Sequence, residues 1–299
     1  VFGVQGRFFF FPNTEHRTLN TPHPMEKPVT NTKWTAPKIT ALKGRQKIAM
    51  LTAGDTTTAR LIDEAGIPCV LVGDSLGMTM LGYDSTLPVT LDQMLHHTAA
   101  VVRGVKSALV ITDLPFMSYQ ASLEQALLSA GRCLKEAGAD AVKVEGGAMR
   151  AETIRALTGN GIPVLGHIGI LPQSVKSAGG YRVQGKTDAD ALRLLDDARA
   201  VAEAGAFAVV LEGMPSDVAK EITDAIAIPT IGIGAGADCD GQVLVVHDVL
   251  GLTAGHVPKF AKQYADLGAA MTTAFAAYRQ EVETGTFPSI EYTYRRSTP

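Results

Sequence analysis

Six residues able to move a proton or hold a cation recur at one kind of position. Asp74, Asp113, Lys143, Glu145, His167 and Glu212 each stand at or beside the end of a short apolar, β-branched run. The runs are Pro68–Gly73, Ala108–Asp113, Ala139–Glu145, Ile162–His167 and Ala206–Glu212. Lys143 and Glu145 are two apart and so point to the same side of one strand. If the ends of these strands converge, three or four carboxylates share one buried place and repel one another unless a cation joins them. Lys143 supplies one positive charge, and a divalent metal would supply more. Oxygen ligands with few nitrogens favour Mg2+ over zinc. A single acid at a strand end serves as readily as a helix N-cap. Five strand ends in succession do not read that way, because caps are more often Ser, Thr or Asn.

Such convergence needs a particular order of elements. From about Lys38 the chain repeats strand, turn, helix. The remaining strand candidates are Lys47–Ala53, Ile228–Gly234 and Gln242–Leu250, the last part strand and part loop. Helical periodicity fills Thr56–Ala65, Leu91–Val105, Ser122–Ala137, Ala151–Gly159, Asp188–Ala204 and Asp217–Ala225, and a final helix is expected from about Lys259 to Glu283. The segment Glu136-Ala-Gly-Ala-Asp-Ala-Val-Lys-Val-Glu145-Gly146 is echoed by Glu203-Ala-Gly-Ala-Phe-Ala-Val-Val-Leu-Glu212-Gly213, and more loosely by Glu64 to Asp74. Each copy ends a helix on Gly and enters a buried parallel strand. Eight strands with this grammar point to an α/β fold, a (β/α)8 TIM barrel in a single domain. An open doubly wound sheet is the alternative that strand count does not separate.

Composition bounds the rest. Of 299 residues, 46% are hydrophobic, ample for a large core, and 27 basic against 30 acidic residues give a net charge of −3. That balance argues against a nucleic-acid partner, which calls for a basic face. No apolar run approaches the roughly 18 residues of a membrane span. Cys69, Cys133 and Cys239 are odd in number and form no CxxC pair, which fits a reducing, cytoplasmic setting. Residues 1–36 are polar and Pro-rich around the short Phe8–Phe11 run and read as a disordered extension, with 37–288 the catalytic barrel and 289–299 a tail. Arg7 and Arg17 weakly favour a transit peptide, whereas Glu15 and a lack of serine oppose it.

Several segments together resemble ketopantoate hydroxymethyltransferases. They are Val72-Gly-Asp-Ser-Leu-Gly-Met78, Asp84-Ser-Thr-Leu-Pro-Val-Thr90, Asp113-Leu-Pro-Phe-Met117, Val142-Lys-Val-Glu-Gly-Gly147, Gly166-His-Ile-Gly169, Pro172-Gln-Ser-Val175, Gly179-Gly-Tyr-Arg-Val-Gln-Gly185, Ile231-Gly-Ile-Gly-Ala-Gly236 and Gly255-His-Val-Pro-Lys-Phe260. The resemblance runs from about Ala36 to Pro288. It implies a Mg2+-dependent (or similar divalent cation) aldol-type transfer from 5,10-methylenetetrahydrofolate, the co-substrate, to 3-methyl-2-oxobutanoate. The product is 2-dehydropantoate, on the way to pantothenate and coenzyme A. It also implies a homo-oligomer, commonly a decamer. Carried over by motif, Asp74 and Asp113 are metal ligands that also face substrate, and Glu145 lies at the metal directly or through water. Ser75 and Lys143 hold the substrate carboxylate, and Glu212 is the catalytic base. His167 is expected to orient the metal site, bind substrate or assist proton transfer. Val209, Val210, Leu211 and Met214 suggest an apolar setting for Glu212. One departure stands out: Gly54 precedes Asp55 where many members carry Tyr.

Two other motifs weigh less. Gly73-Asp-Ser-Leu-Gly77 fits the nucleophile elbow G-x-S-x-G, but a loop rather than a helix is expected after it, and no HGGG-type segment precedes it. Gly232-Ile-Gly-Ala-Gly-Ala237 fits G-x-G-x-x-G/A, but Asp238-Cys-Asp-Gly241 follows where a helix should begin, so a tight loop is expected. Asp84–Pro88 and Gly179–Gly185 read as long surface loops, suited to lids or to folate and subunit contacts. A barrel of the phosphoenolpyruvate mutase or isocitrate lyase type is the competing enzyme. Its lyases carry a Lys-[Lys/Arg]-Cys-Gly-His segment, which does not occur here. A barrel retained as a non-catalytic scaffold is the other alternative.

Overall fold

Eight short strands pair in sequence order, every neighbour parallel, and β1 closes on β8. The computed structural model describes residues 32–253, 255 and 257–296. In chain order, α1 (Ala36–Thr40) leads to β1 (Ile48–Thr52), α2 (Thr56–Glu64), β2 (Cys69–Val72), α3 (Leu76–Thr79), α4 (Leu91–Gly104) and β3 (Leu109–Asp113). There follow α5 (Leu123–Lys135), β4 (Ala141–Glu145), α6 (Ala151–Gly159), β5 (Val164–Gly169), α7 (Val175–Ala178), α8 (Asp188–Glu203) and β6 (Ala208–Glu212). The chain ends with α9 (Ser216–Ala225), β7 (Thr230–Ile233), β8 (Gly241–Leu244), α10 (Val246–Leu250) and α11 (Leu267–Thr284). This is the expected (β/α)8 barrel; the closed ladder excludes the open sheet.

Strand alternation sorts the side chains. One set, including Ile48, Met50, Leu71, Leu109, Ile111, Ala141, Leu165, Val210 and Val243, packs together as the filling of the barrel. The opposite set, including Val142, Val144, Val164, Ile168, Val209 and Leu211, packs against Ala126, Ala130, Ile154, Leu194, Ala198 and Val201 of the helices. The filling set continues upward through Asp113, Lys143, Glu145, His167 and Glu212, so the two-residue period alone carries the charged residues from an apolar floor to the C-terminal mouth. Helices start on side-chain caps: Asp55 on α2, Thr90 in a capping box with Gln93 on α4, Ser122 on α5 and Thr187 on α8.

Beyond strand starts that fall a residue or two later than expected, the expected elements differ from the observed ones in four places. The extension assigned to 1–36 overlaps the barrel at its end: residues 1–31 lie outside the described residues, but Ala36 is buried and opens α1. The Trp34 N–H donates to the Ser107 carbonyl at 2.7 Å, and Lys33 Nζ meets Asp140 Oδ2 at 2.8 Å. The eighth run, Gln242–Leu250, is strand only to Leu244. The Val246 N–H then donates to Thr52 Oγ1 at 3.0 Å as the chain turns into α10. The last helix begins at Leu267, not near Lys259, because Asp266 caps it by accepting from the Ala269 N–H. A one-turn helix, α3, follows Ser75 where a loop was expected. Ser75 itself has ordinary right-handed torsions (φ −54, ψ −19) rather than the strained turn of a nucleophile elbow. No described helix is long and apolar enough to cross a membrane.

Candidate active site

The sequence-singled residues meet at the C-terminal mouth. Lys143 of β4 sits at the centre, buried, with Nζ 2.9 Å from Asp113 Oδ1 of β3, 3.8 Å from Glu145 Oε1 and 3.4 Å from His167 Nδ1 of β5. Register explains the grouping, since Asp113 lies beside Lys143 and Glu145 beside His167 in the ladder. His167 reaches both ways: Nδ1 is 3.5 Å from Glu145 Oε1, and Nε2 is 3.1 Å from Glu212 Oε2. Asp74, just past β2, is joined to the group when its backbone N–H donates to Asp113 Oδ2 at 3.0 Å.

Gly73 makes room for this. A Cβ there would sit 3.1 Å from Ser75 Oγ and 3.6 Å from Asp113 Oδ2, so the space over β2 belongs to the Ser75 hydroxyl and the Asp113 carboxylate. Ser75 is partly exposed at the same mouth. Tyr181, on the loop that ends α7, feels the charges of Glu212, Asp74 and Glu145; desolvation first, then those carboxylates, push its phenol pKa up. That loop therefore reaches the mouth. Gly54 has a packing reason: a Cβ there would collide with Met80 Sδ, and the Gly54 carbonyl lies 2.7 Å from His97 Nδ1. Met80 thus occupies the side on which a Tyr would grow. Of the other histidines, His96 is exposed on α4, His247 is half-buried on α10, and His256 lies outside the described residues.

Electrostatics follow from burial. Asp74 is pushed well above the usual carboxylate range by burial and by the Asp113 and Glu145 charges. Burial also raises Asp113 despite Lys143. Burial works against the Glu145 charge, but the His167 imidazole and Lys143 hold its carboxyl below the usual range. Burial opposes the Lys143 charge too, and the Asp113, Glu145 and Asp74 carboxylates outweigh it and push the ammonium pKa up. His167 is opposed by burial and by Lys143, yet Glu145 and Glu212 on its two nitrogens push it up to about 9. Glu212 is therefore not in the wholly apolar setting its sequence neighbours suggested: Val209 and Leu211 face the helices, Val210 lies below it in the barrel, and an imidazole faces its carboxylate.

The His167 shift predicts a pH dependence. The folded value is raised, so the stability it lends is complete below the unfolded value of 6.5 and is lost as pH rises through about 9. In chelator-treated protein, wild type should exceed His167→Gln in unfolding free energy at pH 6 and lose that margin, no more than about 3 kcal/mol, by pH 9–10. Parallel urea titrations at the two pH values measure it. A margin that grows with pH would contradict the pairing.

The donor set suits a hard divalent cation. Four carboxylates (Asp74, Asp113, Glu145, Glu212) against two cations (Lys143, protonated His167) leave a formal charge of −2. Asp113 Oδ1 and Glu145 Oε1 are buried without an aligned hydrogen-bond donor, although Lys143 Nζ approaches the former to 2.9 Å. Among the described residues, no three His, Cys, Asp or Glu side chains close into a protein-only metal cage. Mg2+ does not need one: it is held by one or two carboxylates and keeps other positions for water and substrate oxygens.

The sequence pattern described as ketopantoate hydroxymethyltransferase matches residues 33–290. A 3-methyl-2-oxobutanoate hydroxymethyltransferase of Syntrophus aciditrophicus is 57% identical over 252 residues, covering 84% of this chain and 93% of that protein. One of the same name from Syntrophobacter fumaroxidans is 56% identical over 260 residues, covering 87% and 92%. Among solved structures, the phosphoenolpyruvate phosphomutase of Streptomyces platensis subsp. rosaceus shares the fold at 16% identity, with a TM-score of 0.56 over 84% of this chain and 88% of that one.

Proposed function

The chain belongs to the ketopantoate hydroxymethyltransferase family, and from that premise we propose that it converts 3-methyl-2-oxobutanoate, 5,10-methylenetetrahydrofolate and water into 2-dehydropantoate and tetrahydrofolate. The observation that carries the reading is the joining of Asp74, Asp113, Lys143, Glu145, His167 and Glu212 at one barrel mouth.

Asp74 and Asp113 would hold Mg2+ or a similar divalent ion, with Glu145 beside it. When bound, the cation supplies Lewis-acid polarisation of the substrate's 2-oxo group. Lys143 and Ser75 hold the substrate carboxylate, and the Lys143 ammonium adds a fixed charge where negative charge develops on deprotonation at C3. Glu212 accepts the C3 proton as the C–H electron pair moves into the enolate. His167 Nε2 lies 3.1 Å from Glu212 Oε2 and holds the base in place. The enolate carbon then bonds to the folate methylene carbon, water provides the hydroxyl oxygen, and both carbon–nitrogen bonds of that methylene break, the two folate nitrogens taking up the proton held by Glu212 and one proton of the water. The partners are small molecules. The three cysteines are free and buried, in keeping with a reducing cytoplasm.

The test is product formation. With Mg2+ and both substrates, 2-dehydropantoate should accumulate, cease on chelation and resume on adding Mg2+ or Mn2+. Turnover that persists at full rate in chelator would remove the cation from the reading.

The assembly is read from α11. Leu267, Met271, Phe275, Tyr278 and Val282 recur at helical spacing and are exposed, and the helix buries none of its side chains. We read this stripe as covered by another copy of the chain, and the family resemblance implies ten copies. Light scattering should give an oligomer for wild type and a smaller species for Phe275→Glu/Tyr278→Glu. A monomeric wild type, or a double variant of unchanged mass, would contradict the assignment.

A further inference from the structure

Behind the carboxylates lies a buried polar network that none of the assigned roles uses. Tyr119, on the loop after β3, and Gln173, in the short 3-10 turn Pro172–Ser174 after β5, are both fully enclosed. The Gln173 N–H donates to Glu145 Oε2 at 3.1 Å. Its side-chain Nε2 donates to Asp74 Oδ2 and to the Leu114 carbonyl, both at 2.9 Å. Its Oε1 accepts from the Tyr119 hydroxyl at 2.8 Å and from Gln120 Nε2 at 3.1 Å. The Tyr119 oxygen in turn accepts from the Glu145 N–H at 3.2 Å. One residue thus bridges the ends of β2 and β3 with its side chain and the end of β4 with its backbone N–H.

The amide has only one tenable orientation. Turned over, it would set its oxygen against the Asp74 carboxylate and the Leu114 carbonyl, two acceptors that offer no proton. The Tyr119 hydroxyl favours the observed orientation, because Gln173 Oε1 at 2.8 Å is a closer acceptor for its single proton than the Glu145 carbonyl at 3.2 Å, while its oxygen is taken by a backbone N–H. All four hydrogen-bonding positions of the amide are filled, the condition under which a buried polar network rigidifies its surroundings.

We propose that Gln173 is a positioning residue for the cation site: its side-chain amide ties up Oδ2 of Asp74 while its backbone N–H ties up Oε2 of Glu145, fixing which oxygen of each carboxylate is left for the ion, with Tyr119 setting the orientation of the amide whose removal the variants test. The inference rests on the cation reading above and deepens it. In keeping with it, Glu145 Oε1, the oxygen Gln173 does not touch, is the one without a hydrogen-bond donor. The neutral amide also adds no charge, where an Arg or Lys donor would compete with the ion.

The test is Mn2+ affinity without substrate, read from the free-ion electron paramagnetic resonance signal, for the full chain and its variants. Gln173→Leu and the linear Gln173→Met should bind Mn2+ about 10–100-fold more weakly, the loss typical of a partner behind a metal ligand. Circular dichroism should stay native. Tyr119→Phe should weaken binding by a smaller factor and add nothing in the Gln173→Leu background, because it acts through the amide. Folded Gln173 variants that bind within twofold of wild type, or a Tyr119→Phe loss that adds in full to that of Gln173→Leu, would overturn the positioning role. If Gln173→Leu does not fold, Gln173→Met and Tyr119→Phe decide. Wild type that binds no Mn2+ would overturn the cation reading and this inference with it, whereas wild type that binds beside unaltered variants would overturn this inference alone.

Discussion

Replacing Glu212 by Gln is expected to lower kcat by about 10²–10⁴-fold, the usual contribution of a positioned general base. The fold and the affinity for the cation should survive. Glu212 ends β6 at the rim, and its side chain keeps a little exposure, 18%, so the isosteric amide fits without leaving a buried gap. What disappears is the proton acceptor. His167 Nε2, 3.1 Å from Oε2, would still face an oxygen of the amide, so the imidazole is not left unpartnered. KM for 3-methyl-2-oxobutanoate should move little, because binding is assigned to Lys143, Ser75 and the cation. Steady-state kinetics beside a thermal melt measure both. A variant that retains more than a tenth of wild-type kcat would take the base role from Glu212.

Lys143→Met should cost stability as well as activity. The ammonium is the common partner of Asp113 and Glu145, at 2.9 and 3.8 Å. Removing one member of a buried ionic group leaves uncompensated charge and costs about 3–5 kcal/mol. For a domain of this size that is a fall in Tm on the order of 10 °C. The acids can escape by taking up protons, so the deficit should have a sign in pH. With Lys143 gone, the folded-state pKa values of Asp74 and Asp113, already raised by burial, rise further. Groups raised in this way lend stability below their folded values and lose it as pH rises through them. The variant should therefore recover relative to wild type as pH falls from 8 to 5, and also when Mg2+ is added at fixed pH. A gap in Tm that neither acid nor Mg2+ narrows would indicate lost packing rather than stranded charge.

What made the site legible was where the strands stop. The runs ending at Asp113, Glu145 and Glu212 end there in the structure as well. The starts were read about two residues early, at Ala139, Ile162, Ala206 and Ile228, against observed starts at Ala141, Val164, Ala208 and Thr230. At Ile162 and Ile228 the reason is local. Pro163 and Pro229 lend carbonyls to the N–H groups of Val142 and Val209, at 3.0 and 2.9 Å. A proline has no N–H to return, so extended residues around it cannot enter the ladder. The error falls at the barrel floor and leaves the mouth untouched.

The parts that stayed hidden share a different cause. The helices α1, α3 and α10 have four or five residues each, too few for any periodic signal. Gln173 lies in the Pro172–Val175 motif and Tyr119 two residues past Asp113–Met117, but their importance lies in bonds to Asp74, Leu114 and Glu145 across three connections. No spacing along the chain announces such a bridge. The only available signal was that a polar Gln follows a proline just after β5, on the face where the acids gather. The His167–Glu212 contact escaped for a similar reason. Neighbours in sequence suggested an apolar wall, whereas the ladder places His167 beside Val210, one strand-face position below Glu212.

The measurement that bears most directly on the whole account is exchange of the C3 proton of 3-methyl-2-oxobutanoate in D2O, followed by NMR without folate. It isolates the step assigned to the cation site and Glu212 from everything the second substrate does. The account predicts exchange with Mg2+, none in chelator, and none in Asp74→Asn or Glu212→Gln with Mg2+ present. Exchange that proceeds at the wild-type rate in chelator or in Glu212→Gln, or a folded wild type with Mg2+ that exchanges nothing, would contradict it.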